Sequence, residues 1–342
     1  MVTRVRAAVI IGGGPSGAAA ALTLLDAQIP VTIVERLPFP RYRPGETLHP
    51  GIEPLLARLQ VADNLHAAGY VRHTGVWSGW GGSMHFVPYG EDENGPWQGY
   101  QAIRTDFDHR LLESASARGA SVRVSNVSGV LFNASDEVAG VLTSEGPIHA
   151  AYVIDCSRGS HTLARQIGIP LVRYSPRLVA RFGYVRGCFD RPTPSICHDQ
   201  RGWTWIAEVE PHRFQWTRVT ETHHRPDRTW IPYCLRDLEA EPSRSADVTW
   251  RMAKTVAGPG YFLAGDSAAV LDPSSSHGVL WAIMSGMQAA HLAVRHLCHG
   301  ANAQVCASMY QAWLTRWFQH DVEEMSGAYR TANLFGFNLC QT

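Results

Sequence analysis

The most constraining feature of the chain is a glycine-rich turn between a short apolar run and a run of small residues. Residues 7–25 read AAVIIGGGPSGAAAALTLL, in which Gly12, Gly14 and Gly17 form the pattern G-x-G-x-x-G. Gly12 permits a tight turn, Gly14 lets a pyrophosphate approach the backbone, and Gly17 allows close packing of helix on strand. The pattern predicts a buried strand, a turn and a helix whose N-terminus binds phosphate.

The second apolar run supports the same interpretation. Residues 31–34 are followed by Glu35, eighteen positions after Gly17. A carboxylate at this place can accept hydrogen bonds from the ribose hydroxyls of a dinucleotide. We therefore expect Pro15, Ser16, Glu35 and Arg36 to join the three glycines in a dinucleotide site of an α/β domain.

A later segment indicates which dinucleotide is bound. Residues 261–266, YFLAGD, predict a short strand that ends in Gly265 and Asp266, and the loop LDPSSSHG and a helical stretch follow. A carboxylate at a strand end, aimed at a sugar-alcohol chain, suits the ribityl group of FAD. Together with the N-terminal turn, this segment favours FAD over NAD.

Composition narrows the possible classes of protein. The 342 residues are enough for about two domains. Thirty basic and thirty acidic residues give no net charge, which argues against an electrostatically driven nucleic-acid binder. Lys254 is the only lysine.

The cysteines indicate whether the chain has a metal site or disulfides, and the apolar N-terminal run raises the question of a membrane span. Seven scattered cysteines without a C-x-x-C pattern predict neither a metal site nor a disulfide framework, and they fit a reduced, cytoplasmic compartment. The glycine turn interrupts the N-terminal apolar run, so we expect no membrane span.

Five segments carry a resemblance to a known family. They are IIGGGPSGAAAA, FPRYRPGETLHP (39–50), IRTDFDHRLLESA (103–115), YVIDCSRGSHTLAR (152–165) and FLAGDSAAVLDPSSSHGVLWAIMSG (262–286). In this order they resemble the FAD-dependent monooxygenases of the aromatic-hydroxylase type, especially their tryptophan-halogenase-like branch. Within that branch, DPSSSHG resembles the loop of flavoproteins that hydroxylate a protein tryptophan during tryptophylquinone cofactor maturation.

The resemblance implies further contacts to a non-covalently bound FAD. Arg41 and Glu46 match the PR…GE element, Arg104 matches an arginine at a helix start, Asp266 matches the ribityl-binding acid, and Gly278 matches a loop glycine under the isoalloxazine. Plainer roles remain open: either arginine could be a surface residue, and Glu46 could cap the helix expected near residue 50.

The order of the motifs predicts the architecture. We expect an α/β fold in which a Rossmann-like FAD-binding domain of the GR2 type is discontinuous, built from residues 1–70, 101–170 and 255–295. Residues 71–100 and 171–254, rich in aromatic residues with alternating polarity, predict an antiparallel-sheet (α+β) substrate domain that roofs the flavin. Residues 296–342 are expected to be C-terminal helices, and 88–99 a surface loop.

The reaction implied is aromatic hydroxylation with O2 as co-substrate. In the family a flavin C4a-hydroperoxide transfers OH to an electron-rich ring, whereas halogenases divert it and need a lysine downstream of the GE element. Residues 47–253 contain no lysine, and the branch's W-x-W-x-I-P element is broken, since Trp203-Thr204-Trp205-Ile206-Ala207 lacks the proline. We therefore expect an oxidoreductase that hydroxylates rather than halogenates.

The substrate is less constrained than the reaction. The short C-terminal region and the DPSSSHG loop favour a tryptophan on a partner polypeptide, a quinoprotein precursor. Small phenols or indoles, a halogenation reaction, prenyl reduction and a non-catalytic FAD-bound chaperone stay open as alternatives. His277, His49 and Glu46 are the candidate catalytic groups, since histidine is the usual base near neutral pH. The electron donor, NAD(P)H or a separate reductase partner, stays open.

Overall fold

The computed structural model describes residues 6–80 and 82–335. Within these ranges the α-helices are α1 (Pro15–Asp26), α2 (Glu53–Arg58), α3 (Ala62–His66), α4 (Arg104–Ala117), α5 (Thr162–Gln166), α6 (Gly278–His299) and α7 (Ala303–Thr331). Short 3-10 helices span Pro50–Ile52, Arg158–Ser160, Thr222–His224, Tyr233–Leu235, Gly265–Ser267 and Pro273–Ser275.

The strands in the same ranges are β1 (Ala8–Ile11), β2 (Val31–Glu35), β3 (Glu46–Leu48), β4 (Val71–His73), β5 (Gly75–Gly79), β6 (His85–Pro88), β7 (Glu91–Asp92), β8 (Gly95–Pro96), β9 (Gly99–Ala102), β10 (Ser121–Val124), β11 (Val127–Phe132), β12 (Val138–Thr143), β13 (Gly146–His149), β14 (Tyr152–Asp155), β15 (Leu171–Arg173), β16 (Leu178–Arg186), β17 (Ser195–Asp199), β18 (Gly202–Glu210), β19 (Arg213–Glu221), β20 (Glu239–Ala240), β21 (Arg244–Asp247), β22 (Arg251–Ala253), β23 (Ala257–Gly258), β24 (Tyr261–Leu263) and β25 (Ala269–Val270).

The first layer is a six-stranded sheet in the order β10-β2-β1-β14-β24-β23. All its strands are parallel except the edge strand β23. The central strands β1 and β14 are buried along their whole length, as expected for a parallel sheet covered on both faces. Their carboxyl ends, where Ile11 lies beside Asp155, meet at one edge of the sheet.

Helices α1 and α6 pack against each other at very short range. A Cβ on Gly17 would collide with the carbonyl oxygen of Gly12, and a Cβ on Gly286 of α6 would collide with the carbonyl oxygen of Ser16. Glycine at these places lets α1 sit against both its own turn and α6. The packing fixes the helix N-terminus that faces the edge of the sheet.

The second layer is an eight-stranded sheet in the order β20-β16-β19-β18-β17-β5-β6, with β21 also paired to β16. Its pairs are antiparallel except β5 with β17. Ala180 and Phe182 of β16 point toward the first layer, whereas Val185 points away into a second core with Phe214 and Trp216. The predicted fold class, a Rossmann-like FAD-binding domain with an antiparallel sheet and C-terminal helices, is confirmed.

Several details differ from the expected division of the chain. Strand β4 pairs with β9, which also pairs with β3, in a small sheet of its own. Strands β11–β13 form a separate antiparallel sheet, and β22 pairs with both β15 and β25 in another. The segment expected as a surface loop, 88–99, carries the β7–β8 hairpin, because Gly90 and Gly95 adopt positive φ angles around it.

The C-terminal part also departs from the expected boundary. Helix α6 runs without a break across residue 296, and Gly300 in a left-handed conformation ends it. Residues 1–5 of the expected first domain and 336–342 of the expected C-terminal helices lie outside the described residues. None of the helices in the described ranges combines the length and apolarity needed to cross a bilayer.

Glycine substitutions on α6 and α7 test the close packing. Gly286→Ala places a methyl group against the backbone of α1, and overpacking of this kind costs about 1–3 kcal/mol. Gly327→Ala on α7, where a Cβ meets nothing within 4 Å, is the matched control and should raise stability by about 0.5–1 kcal/mol. Urea unfolding followed by circular dichroism should show a lower free energy of unfolding for Gly286→Ala and a higher one for Gly327→Ala. Equal changes in the two variants would contradict the close contact between α6 and α1.

Candidate functional site

A large cleft lies between the carboxyl edge of the parallel sheet and the inward face of the eight-stranded sheet. Its volume is about 740 Å³, within the range of small-molecule and cofactor sites. The glycine turn, the 41–47 segment, the start of α4, the turn after β14 and the loop before α6 all contribute to its wall. One cavity therefore gathers segments that are far apart in the sequence.

Most of the sequence-predicted site residues line this cleft. They are Gly12, Gly14, Pro15, Ser16, Glu35, Arg36, Arg41, Glu46, Arg104, Gly265, Asp266, His277 and Gly278. Gly17 and His49 are absent from the lining. Gly17 serves the packing of α1 on its own turn, as described above.

Glu35 is oriented by the backbone around it. Its carboxylate accepts hydrogen bonds from the Gly13 amide at 2.9 Å and the Leu37 amide at 3.1 Å. Gly12 holds a positive φ of 102°, and a Cβ there would lie 2.5 Å from the Cys156 carbonyl oxygen. The turn therefore requires glycine, and it carries a fixed carboxylate at the end of β2.

Arg41 makes only long ion pairs with acidic side chains among the described residues. Its Nε lies 3.7 Å from Glu35 and its Nη1 lies 3.8 Å from Asp108. Both nitrogens are buried and have no hydrogen-bond partner among the described residues. Burial lowers the pKa of Arg41, although Asp108 and Glu35 oppose this.

The surroundings of Arg41 fit the pyrophosphate of FAD. A Cβ on Gly14 would come 3.4 Å from an Arg41 nitrogen, so the open cradle of the glycine turn faces this guanidinium. Unpartnered donors beside such a cradle match the phosphate oxygens of a dinucleotide.

Arg104, in contrast, is held firmly. Its guanidinium binds both carboxylate oxygens of Asp108, at 2.6 and 3.1 Å, and reaches Glu46 at 2.7 Å. Burial opposes the charge, but Asp108 and then Glu46 raise the pKa of Arg104. For Glu46, burial raises the pKa and Arg104 opposes the shift. Asp108 is a residue that sequence reasoning missed, although its i, i+4 spacing from Arg104 on one helix was a usable signal.

The part of the cleft wall that precedes α6 contains two aspartates. Asp266, half-exposed, pairs with Arg158 at 2.9 Å. Asp272 is buried, and its carboxylate accepts hydrogen bonds from the Ser274 amide at 2.9 Å, from Trp250 and from Tyr329. Burial raises the pKa of Asp272. Neither partnership was visible in the sequence, because Arg158 and Tyr329 lie far along the chain from these acids.

The two candidate histidines have different surroundings. His277 lines the cleft, and its Nδ1 lies 3.7 Å from Asp321 of α7. The Asp321 carboxylate also accepts a hydrogen bond from Trp281 at 2.7 Å. His49 instead accepts a hydrogen bond from the Gly51 amide at 3.0 Å and so caps the short helix at Pro50. Burial, and then His277, lower the pKa of His49.

The remaining wall of the cleft is aromatic. Phe182, Trp203, Trp205, Trp281 and Phe318 contribute to it, whereas Trp77, Trp80 and Trp216 do not. No lysine lines the cleft within the described residues, and Lys254 is exposed between β22 and β23.

One group of metal-ligating side chains comes together elsewhere in the described ranges. Glu221, His223 and His224 offer ligand atoms within 4.8 Å of one another on the turn after β19. Both histidines are exposed, and none of the three lines the cleft. The absence of a metal centre stays a prediction.

The parallel sheet, glycine turn and arginine-rich cleft define an FAD-binding flavoenzyme. The chain belongs to the family described as FAD binding domain, whose sequence pattern matches residues 5–258. This assignment confirms FAD as the cofactor.

Comparison with individual proteins gives the same broad class. The chain is 26% identical over 345 aligned residues to a tryptophan 2-halogenase of Chondromyces crocatus, covering 90% of this chain and 65% of that protein. It therefore spans less than two thirds of that relative's length.

Two solved structures share the fold. The myxobacterial chondrochloren halogenase CndH superposes with a TM-score of 0.85 at 22% identity, covering 95% of this chain and 83% of the other. The peptidyl tryptophan dihydroxylase QhpG superposes with a TM-score of 0.74 at 19% identity, covering 96% and 76%.

Removal of the Arg41 charge tests the pyrophosphate contact. Charge-assisted hydrogen bonds are worth about 1.5–3 kcal/mol, so Arg41→Gln should weaken FAD binding roughly tenfold or more. Fluorescence titration of the FAD-free protein measures this, with Arg165→Gln on the exposed surface of α5 as the matched control. Equal affinity of the two variants would exclude the contact.

Acid release of the cofactor tests non-covalent binding. Cys156 is a thiol in the cleft wall, and burial raises its pKa to about 12, which makes it a poor nucleophile. Acid precipitation should therefore leave yellow FAD in solution. Flavin that stays with the pellet would show a covalent bond.

Proposed function

We propose that the chain uses FAD and O2 to hydroxylate an electron-rich aromatic ring of a small molecule, such as an indole or a phenol. The observation that carries the proposal is the aromatic wall of Phe182, Trp205, Trp281 and Phe318 facing the FAD cleft. Aromatic side chains favour stacked or edge-to-face contact with another ring. Among the relatives compared, the tryptophan 2-halogenase takes its name from an aromatic substrate.

Bound FAD would supply the activation of oxygen, and the protein would supply binding, orientation and exclusion of water. The pyrophosphate would lie at the glycine turn with Arg41, and Glu35 would accept from the adenosine ribose. Asp266 would bind the ribityl chain, and Gly278, where a Cβ would meet nothing within 4 Å, leaves space for the ring system. Arg104 would contact the cofactor while Asp108 holds it in place.

His277 is the proposed base for the proton that leaves the hydroxylated ring. It lies at the start of α6 in the cleft wall, and Asp321, 3.7 Å from its Nδ1, would orient the ring. Asp321 is a positioning residue in this scheme. His49 has its Nδ1 committed to the Gly51 amide, and Glu46 is committed to Arg104, so both support the site structurally.

Hydroxylation is favoured over halogenation by the chemistry of the cleft. The halogenases that the chain resembles need a lysine beyond the GE element, and the described cleft has no lysine in its wall. The cationic groups there are arginines, whose guanidinium keeps its proton and cannot act as a neutral amine. The similarity to halogenases therefore supports the FAD site and an aromatic substrate. The lack of a lysine amine in the described cleft wall supports transfer of oxygen to the substrate ring in place of halogenation.

A tryptophan on a partner polypeptide is the second candidate substrate. The DPSSSHG loop favours it, because this loop resembles that of the maturation flavoproteins. Against it, Leu314, Phe318 and Asp321 of α7 contribute to the cleft wall, which suits a compact ligand better. We therefore place the small aromatic molecule first.

An assay with indoles and phenols under 18O2 tests the main proposal. Reduced flavin from a separate reductase and NADH should give a product that carries one 18O atom, detected by mass spectrometry. Oxygen uptake without a labelled product from any ring, combined with labelling of a tryptophan peptide from a co-expressed neighbouring gene product, would favour the polypeptide substrate.

Bromide in the same assay separates hydroxylation from halogenation. With excess bromide we expect no brominated product, because the cleft lacks the amine. A brominated indole whose formation survives a scavenger of hypobromous acid would overturn this part of the proposal.

Substitution of His277 tests the base. A general base contributes about 10²–10⁴-fold to rate, so His277→Gln should lower kcat at least about a hundredfold and leave FAD content unchanged. Asp321→Asn should lower kcat less than His277→Gln, since it leaves the imidazole in place and removes only the carboxylate beside it. A pH profile that is the same in all three proteins would assign His277 a structural role.

A further inference from the structure

The inward face of the eight-stranded sheet carries two polar side chains among its aromatic ones. Gln215 and Thr217 of β19 both line the FAD cleft. They are two positions apart on one strand, so they lie on the same face of the sheet, about 7 Å from each other along the strand. The aromatic wall of the cleft therefore contains a short polar strip.

Gln215 is buried without a hydrogen-bond partner for its carbonyl oxygen. The residue is only 2% exposed, and its Oε1 has no partner among the described residues. Gly45 makes room for the amide, because a Cβ at Gly45 would lie 2.7 Å from this oxygen. The Gly45 amide itself donates to the Tyr184 hydroxyl at 2.7 Å. A buried polar group without a partner costs free energy, and a ligand that hydrogen-bonds the Gln215 amide would remove part of that cost.

The Gln215 amide can pair with either kind of polar group. It has an acceptor oxygen and a donor nitrogen, and rotation about the last side-chain bond exchanges their places. The hydroxyl of Thr217, which is half-buried, is also both donor and acceptor. These groups match a ring N–H, which donates one hydrogen bond, or a phenolic O–H, which donates one and accepts another.

Thr217 lies between two aromatic residues of the wall. In the strand register it is opposite Phe182 of β16 on one side and Trp205 of β18 on the other. Neighbouring strands lie about 4.8 Å apart, so the backbones of Phe182 and Trp205 are separated by about 10 Å. Because the centroids of aromatic rings in contact are about 4.5–7 Å apart, one further ring fits between these two side chains.

We propose that Phe182 and Trp205 hold the substrate ring between them and that Gln215 hydrogen-bonds the N–H or O–H group of this ring, with Thr217 beside it. This inference rests on the proposed function, since it requires an aromatic substrate in the FAD cleft. It restricts the substrate class to rings that carry such a donor, because a site built around a buried hydrogen-bonding group rejects an analogue that leaves this group unpaired. Gln215 is then a residue that determines specificity.

Calorimetric titration of the oxidised, FAD-loaded protein tests the proposal without any turnover. The probes are two pairs of similar shape, indole with indene and phenol with toluene, in which the second member lacks the N–H or O–H group. We expect at least one polar ring to bind about fivefold or more tightly than its hydrocarbon counterpart. Gln215→Met should bring this ratio close to one by weakening the binding of the polar ring alone.

Two threonines of β19 supply a matched comparison. Thr217→Val removes a hydroxyl from the cleft wall and should lower the ratio in part. Thr220→Val is the control, because the Thr220 hydroxyl is also buried without a partner among the described residues but does not line the cleft. This control should leave the ratio unchanged.

The assignment of Gln215 is overturned by equal binding of the two members of each pair, by no binding of any probe, or by a ratio that Gln215→Met does not change. A lower FAD affinity in Gln215→Met would also overturn it, since the amide would then contact the cofactor. The thermal midpoint of each variant shows whether it is folded. Labelled product in the 18O2 assay with equal binding within each pair would retain hydroxylation and reject this role of Gln215. Discrimination within a pair without any labelled product would retain the amide contact and reject hydroxylation.

Discussion

The bidentate ion pair between Arg104 and Asp108 is the contact on which the arrangement of the cleft depends. Arg104 begins α4, and its remaining nitrogen binds Glu46 of β3, so one guanidinium ties the helix to the segment that follows Arg41. Removing one partner from such a buried group leaves an uncompensated charge, which costs several kcal/mol. Since Asp108 also lies 3.8 Å from Arg41, the same carboxylate sets the place of the second cation.

The other end of the cleft is held by hydrogen bonds between aromatic side chains and one acid. Tyr329 of α7 donates to Asp272 and accepts from Trp203 of β18 at 2.7 Å, and Trp250 also donates to Asp272. These bonds join the C-terminal helix, the eight-stranded sheet and the loop before α6. The loop that would contact the flavin ring is thereby fixed by groups from three separate elements of the fold.

The sequence allowed prediction of the elements whose signals are local. The glycine turn, Glu35 at the end of β2 and Asp266 after β24 each lie within a few residues of a strand end, and periodicity locates such ends. The roles of Arg158 and Asp321 depend on contacts across the fold, which no spacing in the chain reports.

Local context did not specify the contacts of neighbouring residues. His49 beside Glu46 has the position of a catalytic group, yet its ring nitrogen accepts a hydrogen bond from a helix-start amide two residues later. The cap left open as an alternative role of Glu46 is made by His49, and Glu46 accepts a hydrogen bond from Arg104. The motif at 39–50 places Glu46 and His49 near the cleft, but it does not specify which of the two side chains lines the cleft.

The sulfur of Cys156 has a consequence for the lifetime of the enzyme. This thiol stands in the wall of a cleft proposed to activate oxygen, where oxidation to sulfenic acid would be a direct route to self-inactivation. The thiolate is the form that oxidants attack, and a pKa of about 12 keeps the group almost wholly protonated near neutral pH. Its hydrogen bond to Ser16 at 3.3 Å places it against the glycine turn. The raised pKa thus makes this thiol less reactive toward oxidants than a cysteine with an ordinary pKa.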